Sequence, residues 1–149
     1  MDWRALINSH VANAATRCVF APPARPETLT TAEQTLHITL PLALRDLLEQ
    51  TDGVDLQMRI RGDWQTYQAL VWPVEEIISN TQRFRQEHRL AAPTDVLPFS
   101  ELGNGDLFAF RTRQDDNSIV VWDHEDDSLT PAYSSLQDFI EQWSTGDAT

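Results

Sequence analysis

The densest group of potential ligands in the sequence is the run Asp123-His124-Glu125-Asp126-Asp127. One imidazole and four carboxylates in five positions offer the donor atoms that divalent cations bind. The spacing, however, departs from two specific metal motifs. A zinc-protease helix would need a second histidine at position 128, which is serine, and an EF-hand loop would need glycine at its sixth position and a terminal glutamate. We therefore interpret the run as a solvated turn after a strand and predict no metal site.

Several classes of enzyme chemistry need a group that this chain lacks. The sequence contains no lysine, which excludes Schiff-base catalysis, pyridoxal phosphate attachment and a Walker-type phosphate loop. His10, His37 and His88 are scattered among different predicted elements, and no nucleophile elbow accompanies them. The adjacent carboxylates Glu75 and Glu76 fit the first turn of a helix, where they stabilise the positive end of its dipole. We predict that the protein is not an enzyme and has no cofactor.

The charge of the chain favours a basic partner. Eleven arginines stand against 23 acidic residues, and the formal net charge of −12 repels nucleic acid and anionic lipid. An acidic balance also promotes solubility, so the charge alone does not identify a partner. The single Cys18 excludes an internal disulfide and a cysteine-based zinc cluster. No basic-then-apolar leader opens the sequence, and no segment approaches the roughly 18 apolar residues of a membrane span, which predicts a cytoplasmic protein without a membrane partner.

The first residues predict a helix that leads into a proline-rich segment. Asp2 and the apolar stripe after it predict an N-terminal helix over residues 2–18. A connector follows over residues 19–30, because its prolines cannot continue a helix. Thr30 and Glu33 then fit a capping box at the start of a second helical segment.

The middle of the chain predicts a helix, a hairpin and a second helix. Pro41 suits the first turn of a helix, and Gly53 supplies the left-handed residue after its end. Residues 54–60 alternate between apolar and polar as a half-buried strand does, and residues 64–72 return as the second strand of a hairpin. Pro73 then begins a helix with an apolar stripe.

The stretch from Leu97 to Asp127 predicts a meander of strands, in which β-branched and aromatic runs alternate with polar clusters. Gly103 and Gly105 can adopt φ > 0 without a clash, so a tight bend lies between the first two strands. Pro131 marks an edge strand, and an amphipathic helix follows it. Together the elements predict an α+β fold in a single domain over residues 1–149, with helices packed on a mainly antiparallel sheet of about six strands.

Several short motifs follow one another in a distinctive order from about Thr31 onward. Their residues are Leu40, Pro41, Asp52, Gly53, Trp72, Gly103, Gly105, Asp106 and Trp122, followed by Phe139 and Ile140 in the final helix. In order and spacing they resemble the SUKH superfamily, in its Smi/Knr branch, although Asp52 stands where asparagine is commoner. The resemblance implies an α+β, SUKH-like domain without catalysis, in which these residues have structural roles.

The resemblance also implies a function through protein binding. In bacteria, such domains are typically immunity proteins that bind and neutralise polymorphic toxins, often nucleases, while fungal relatives regulate cell-wall synthesis. We therefore expect an immunity protein whose partner is a toxin domain. A housekeeping regulatory interaction module is the alternative, and a metal-dependent hydrolase is the third interpretation.

The acidic turns of the chain form the predicted partner-binding surface. Its residues are Asp115, Asp116, Asp123, Glu125, Asp126 and Asp127. Against a basic nuclease, these carboxylates would speed association and substitute for the phosphates of the substrate. Strand pairing can place the two turns at opposite ends of a sheet, in which case only one of them takes part.

Overall fold

The computed structural model describes residues 1–87, 95–112 and 117–143, and these residues form five α-helices and seven β-strands. In chain order they are α1 (Trp3–Val11), β1 (Thr16–Phe20), α2 (Pro26–Leu36), α3 (Leu42–Gln50), β2 (Val54–Ile60), β3 (Asp63–Val71), α4 (Val74–Glu87), β4 (Val96–Glu101), β5 (Leu107–Arg111), β6 (Ile119–Asp123), β7 (Ser128–Tyr133) and α5 (Leu136–Trp143). The combination of helices with antiparallel strands confirms the predicted α+β class. No helix among those described is long and apolar enough to cross a membrane.

The seven described strands form two antiparallel sheets. Strands β1, β2 and β3 make one sheet in that order, and β4, β5, β6 and β7 make the other. The sheets adjoin at β3 and β4, because the Trp72 amide donates a hydrogen bond to the Phe99 carbonyl over 2.9 Å. The Gln68 side chain also donates to the Glu101 carbonyl over 3.1 Å. The antiparallel sheet predicted with about six strands is thus a pair of adjoining sheets.

The predicted helix over residues 2–18 is wrong beyond Val11. Helix α1 ends there, and Thr16–Phe20 forms strand β1, which pairs antiparallel with β2. The chain turns at Asn13, whose side chain accepts hydrogen bonds from two following backbone amides. Cys18 therefore lies in a strand, where burial raises the pKa of its thiol to about 11.

Helix α2 begins at Pro26, inside the connector predicted over residues 19–30. Proline suits this position because the first amides of a helix have no partner within the helix. Thr30 lies inside α2, so the predicted capping box is wrong. Glu33 instead accepts a hydrogen bond from the Arg45 guanidinium over 2.8 Å, which joins α2 to α3.

The sheet of β4–β7 has helices on both faces. On one face, Phe99 and Phe108 pack against Phe139 of α5, with ring centroids 5.3 Å and 4.9 Å from it. On the other face, Ala109 belongs to a second apolar cluster with Phe84 of α4. Successive side chains of β5 point to opposite faces, which separates the two clusters. The face toward α4 carries the candidate site.

Candidate functional site

The run from Asp123 to Asp127 forms the turn between β6 and β7. Asp123 is the last residue of β6, and residues 124–127 connect it to β7. The turn between β4 and β5 ends at Asp106 and lies beside it, because Leu107 pairs with Trp122 in the antiparallel register. The structure thus brings together two turns that are separate in the sequence.

Asp106 and His124 link these two turns. The Asp106 oxygen Oδ1 accepts a hydrogen bond from the His124 amide over 3.1 Å and lies 2.7 Å from the imidazole Nδ1. The side-chain hydrogen bond raises the pKa of His124 and lowers the pKa of Asp106. Gly105 adopts φ +98°, and a Cβ there would lie 3.0 Å from His124 Nδ1. Asp106 and Gly105 are recognisable in the sequence as motif residues, but their common neighbour His124 is not.

Asp106, Asp123 and His124 offer ligand atoms that all lie within 4.8 Å of one another. Oxygen and imidazole donors at this separation are suited to a divalent cation. Both carboxylates already accept hydrogen bonds that stabilise the turns. Asp106 Oδ1 accepts from the His124 amide, and Asp123 Oδ1 accepts from the Glu125 amide over 2.8 Å. That the protein has no metal site stays a prediction.

The remaining side chains of the β6–β7 turn are exposed carboxylates. They are Glu125, Asp126 and Asp127. Asp127 Oδ1 accepts a hydrogen bond from the Trp122 indole over 2.6 Å, which ties the turn to the sheet face toward α4. We call Asp123–Asp127 the acidic turn. The other two residues of the predicted partner-binding surface, Asp115 and Asp116, lie outside the described residues.

A groove of about 450 Å³ lies between α4 and the ends of β4, β5 and β6. Its apolar lining consists of Trp72, Phe84, Leu107 and Trp122. Phe84 and Trp122 are in edge-to-face contact, with ring centroids 5.3 Å apart. Trp72 is 5% exposed, so its indole belongs mainly to the core. The inner side of the groove is therefore mainly aromatic. The groove adjoins the acidic turn, because Trp122 lines the groove and is hydrogen-bonded to Asp127.

The polar lining of the groove is predominantly acidic. Glu76, Asn80, Arg83 and Glu87 come from α4, and Glu101 comes from the end of β4. Arg83 donates a hydrogen bond to the Asn80 side chain. Three carboxylates against one guanidinium give the groove the same sign of charge as the acidic turn. The groove was not predicted from the sequence, although the spacing of residues 76, 80, 83 and 87 places them on one face of a helix.

Several motif residues fix the start of α4, which is one wall of the groove. Asp52 Oδ1 accepts a hydrogen bond from the Val74 amide over 2.8 Å and so caps the helix. Gly53 adopts φ +93°, and a Cβ there would lie 2.7 Å from the Pro73 nitrogen. Trp72 directly precedes Pro73. The remaining motif residues are Leu40 and Pro41 before α3 and Gly103 in the β4–β5 turn.

Comparison with known proteins connects these motif positions to one family. The model of the SMI1 / KNR4 family (SUKH-1) matches residues 23–142, which is more than half of the chain. The match includes α2 to α4 and both turns of the candidate site. Comparison with curated proteins gives no match. The chain therefore belongs to the SMI1 / KNR4 family, SUKH-1.

Proposed function

We propose that this protein is a non-catalytic binding domain that recognises and neutralises a bacterial toxin with a basic surface. Members of its family are generally non-catalytic, and membership is consistent with an immunity or regulatory binding domain. The observation that carries the proposal is the acidic surface formed by the acidic turn and the adjoining groove. Because carboxylates outnumber cations on this surface, it favours a basic partner.

The acidic surface suits a toxin of the nuclease class for two reasons. Its carboxylates attract a basic protein at long range and so raise the association rate, and the net charge of −12 adds to this attraction. In the complex, the same carboxylates can pair with the cations that a nuclease uses to bind phosphates. Occupation of those cations would exclude the nucleic acid.

The reactive side chains of the described residues support a role without catalysis. The raised pKa of about 11 keeps the Cys18 thiol protonated at neutral pH, and a protonated thiol is a poor nucleophile. The His124 imidazole is hydrogen-bonded to Asp106 in a surface turn, where the pair joins two turns. For calcium, magnesium, manganese and zinc we expect no tight binding in calorimetry, and no phosphoester or peptide hydrolysis. Tight binding or an activity that His124→Ala abolishes would favour the hydrolase.

Co-expression with the cognate toxin domain tests the proposal. We expect the toxin alone to arrest growth, and we expect this protein to restore growth and to co-purify with the toxin. A catalytically inactive toxin provides the control for expression burden. If both proteins are produced and growth is not restored, toxin neutralisation is contradicted and the regulatory interaction module is favoured.

A further inference from the structure

We infer that the groove between α4 and the β4–β7 sheet receives arginine or lysine side chains from a basic segment of the partner. The inference rests on the proposed function and specifies which surface of this chain and which side chains of the partner meet. It depends on one concave site that combines an aromatic lining with carboxylates. The acidic turn then faces the basic surface around that segment.

The aromatic lining suits the stem of a long cationic side chain. The half-buried Trp122 indole lines the groove beside Phe84, which is 3% exposed, and their ring centroids lie 5.3 Å apart in edge-to-face contact. Arginine and lysine bury their methylene groups on such surfaces while the charged head stays near water. A cation within about 6 Å of an indole is also attracted by the ring. This chain uses that contact elsewhere, because the Arg17 guanidinium lies 4.7 Å from the Trp64 ring centroid.

Carboxylates on both sides of the groove suit the charged head. Glu76 and Glu87 belong to α4, and Glu101 lies opposite at the end of β4. Hydrogen bonds between carboxylates and guanidinium or ammonium groups are stronger than those between neutral groups. Arg83 is the one cation among the described lining residues, and it donates to Asn80. The balance of charge therefore favours entry of a cation.

The lining also discriminates among possible occupants. The three carboxylates of the groove would repel an acidic peptide. A purely apolar segment would bury these carboxylates without a hydrogen-bond partner, which costs free energy. A second copy of this chain would have to present its own arginines. Arg17 and Arg59, on the β1–β3 sheet, already lie over the Trp64 ring at 4.7 Å and 5.9 Å. The net charge of −12 on each chain also opposes the association of two copies, so a basic segment of another protein is the occupant that fits best.

Two blocked peptides test the chemistry of the groove without the toxin. One alternates arginine with leucine, and the other alternates glutamate with leucine. Calorimetry gives the affinity, and NMR reports the indole resonances of Trp72 and Trp122. We expect only the arginine peptide to bind and to shift these resonances. No binding of the arginine peptide, or equal binding of both peptides, would overturn the inference.

Charge-matched variants locate the binding. Glu76→Gln/Glu87→Gln removes two carboxylates from the groove, whereas Glu75→Gln/Glu27→Gln removes two from first helical turns outside it. Glu75 and Glu76 share the first turn of α4, so their effects on the helix dipole are similar. We expect the dissociation constant of the arginine peptide to rise about tenfold in the groove variant and less than about twofold in the control. Equal losses would assign the effect to net charge and contradict the inference.

The inference and the proposed function fail in different experiments. If the groove variant neutralises the toxin as well as the wild type does, the inference is wrong and toxin neutralisation stands. If the wild type binds the arginine peptide at the groove but does not neutralise the toxin, only the proposed function is wrong. Self-association that the arginine peptide reverses would assign the groove to a second copy of the chain and overturn the inference.

Discussion

The two faces of the β4–β7 sheet use the same strands but are covered to different extents. Toward α5, Phe108 and Phe139 are 1% and 0% exposed, and their ring centroids lie 4.9 Å apart. Toward α4, Leu107 and Trp122 are half-buried and line the groove. Because neighbouring residues of a strand point to opposite faces, one set of side chains can fill the core while the next set stays partly exposed in the groove.

The two covering helices explain the difference. Helix α5 buries Leu136, Phe139 and Ile140 on one face, and this face closes the core. Helix α4 contributes Phe84 to the second cluster, but a polar stripe that begins at Glu76 runs along the groove. The groove therefore results from the sequence of α4 as much as from the sheet.

The largest effect should come from a ring in the closed face. Phe139→Ala removes contacts with Phe99, Phe108 and Tyr133, and a buried Phe→Ala change typically lowers the free energy of unfolding by about 3–5 kcal/mol. Leu107→Ala in the groove should lower it by about 1 kcal/mol and should weaken binding of the arginine peptide. Urea denaturation measures both free energies. Similar losses in the two variants would contradict the division between the faces.

A smaller effect should distinguish the two glycines of the β4–β5 turn. Both Gly103 and Gly105 have φ above +90°, but only at Gly105 would a Cβ meet another residue, the His124 ring at 3.0 Å. Backbone strain at positive φ is common to both alanine variants, and only the Gly105 variant adds a steric contact. We therefore expect Gly105→Ala to lower the free energy of unfolding by about 2–3 kcal/mol and Gly103→Ala by about 1 kcal/mol. Equal values in thermal or urea denaturation would show that the His124 ring moves aside without cost, which would contradict a fixed His124 position between the two turns.

The smallest effect concerns pH. The pKa of His124 is raised by its hydrogen bond to Asp106, so its contribution to stability is complete below the ordinary value of about 6.5 and is lost as pH rises through the raised value. The pKa of Asp106 is lowered, so its contribution is complete above about 3.8 and is lost as pH falls through the lowered value. The difference in stability between wild type and Asp106→Asn should therefore be largest between these ordinary values. A stability difference between the two proteins that does not change with pH would contradict a stabilising hydrogen bond between Asp106 and His124.

Local patterns in the sequence predict most elements of the fold. The apolar spacing of Leu44 and Leu48 predicts α3, and both residues are fully buried. The predicted hairpin is present, and Gly62 adopts φ +85° in the turn between β2 and β3. Strand β1 was predicted as part of a helix, because Cys18 fits the apolar stripe of α1. The pairing that makes it a strand joins Cys18 to Leu56 of β2, which is distant in the sequence. Periodicity within one segment does not contain such a pairing.

Only the part of the candidate site that lies within one segment of the sequence was predictable. Five successive polar residues predict the acidic turn, and the structure places that turn between β6 and β7. The contact between Asp106 and His124 depends on the register that pairs Leu107 with Trp122. The groove depends on how α4 lies across the sheet. Register and packing are properties of two segments, so neither pattern alone contains them.

The association rate of this protein with its cognate toxin domain, measured across a salt series, tests the central claim most directly. Salt shortens the screening length from about 10 Å at 0.1 M to about 3 Å at 1 M, so a rate that depends on exposed carboxylates must fall. We expect the wild-type rate to fall at least about tenfold over this range, and Glu125→Gln/Asp126→Asn to start lower and depend less on salt. A wild-type rate that does not change with salt would contradict recognition through the acidic surface.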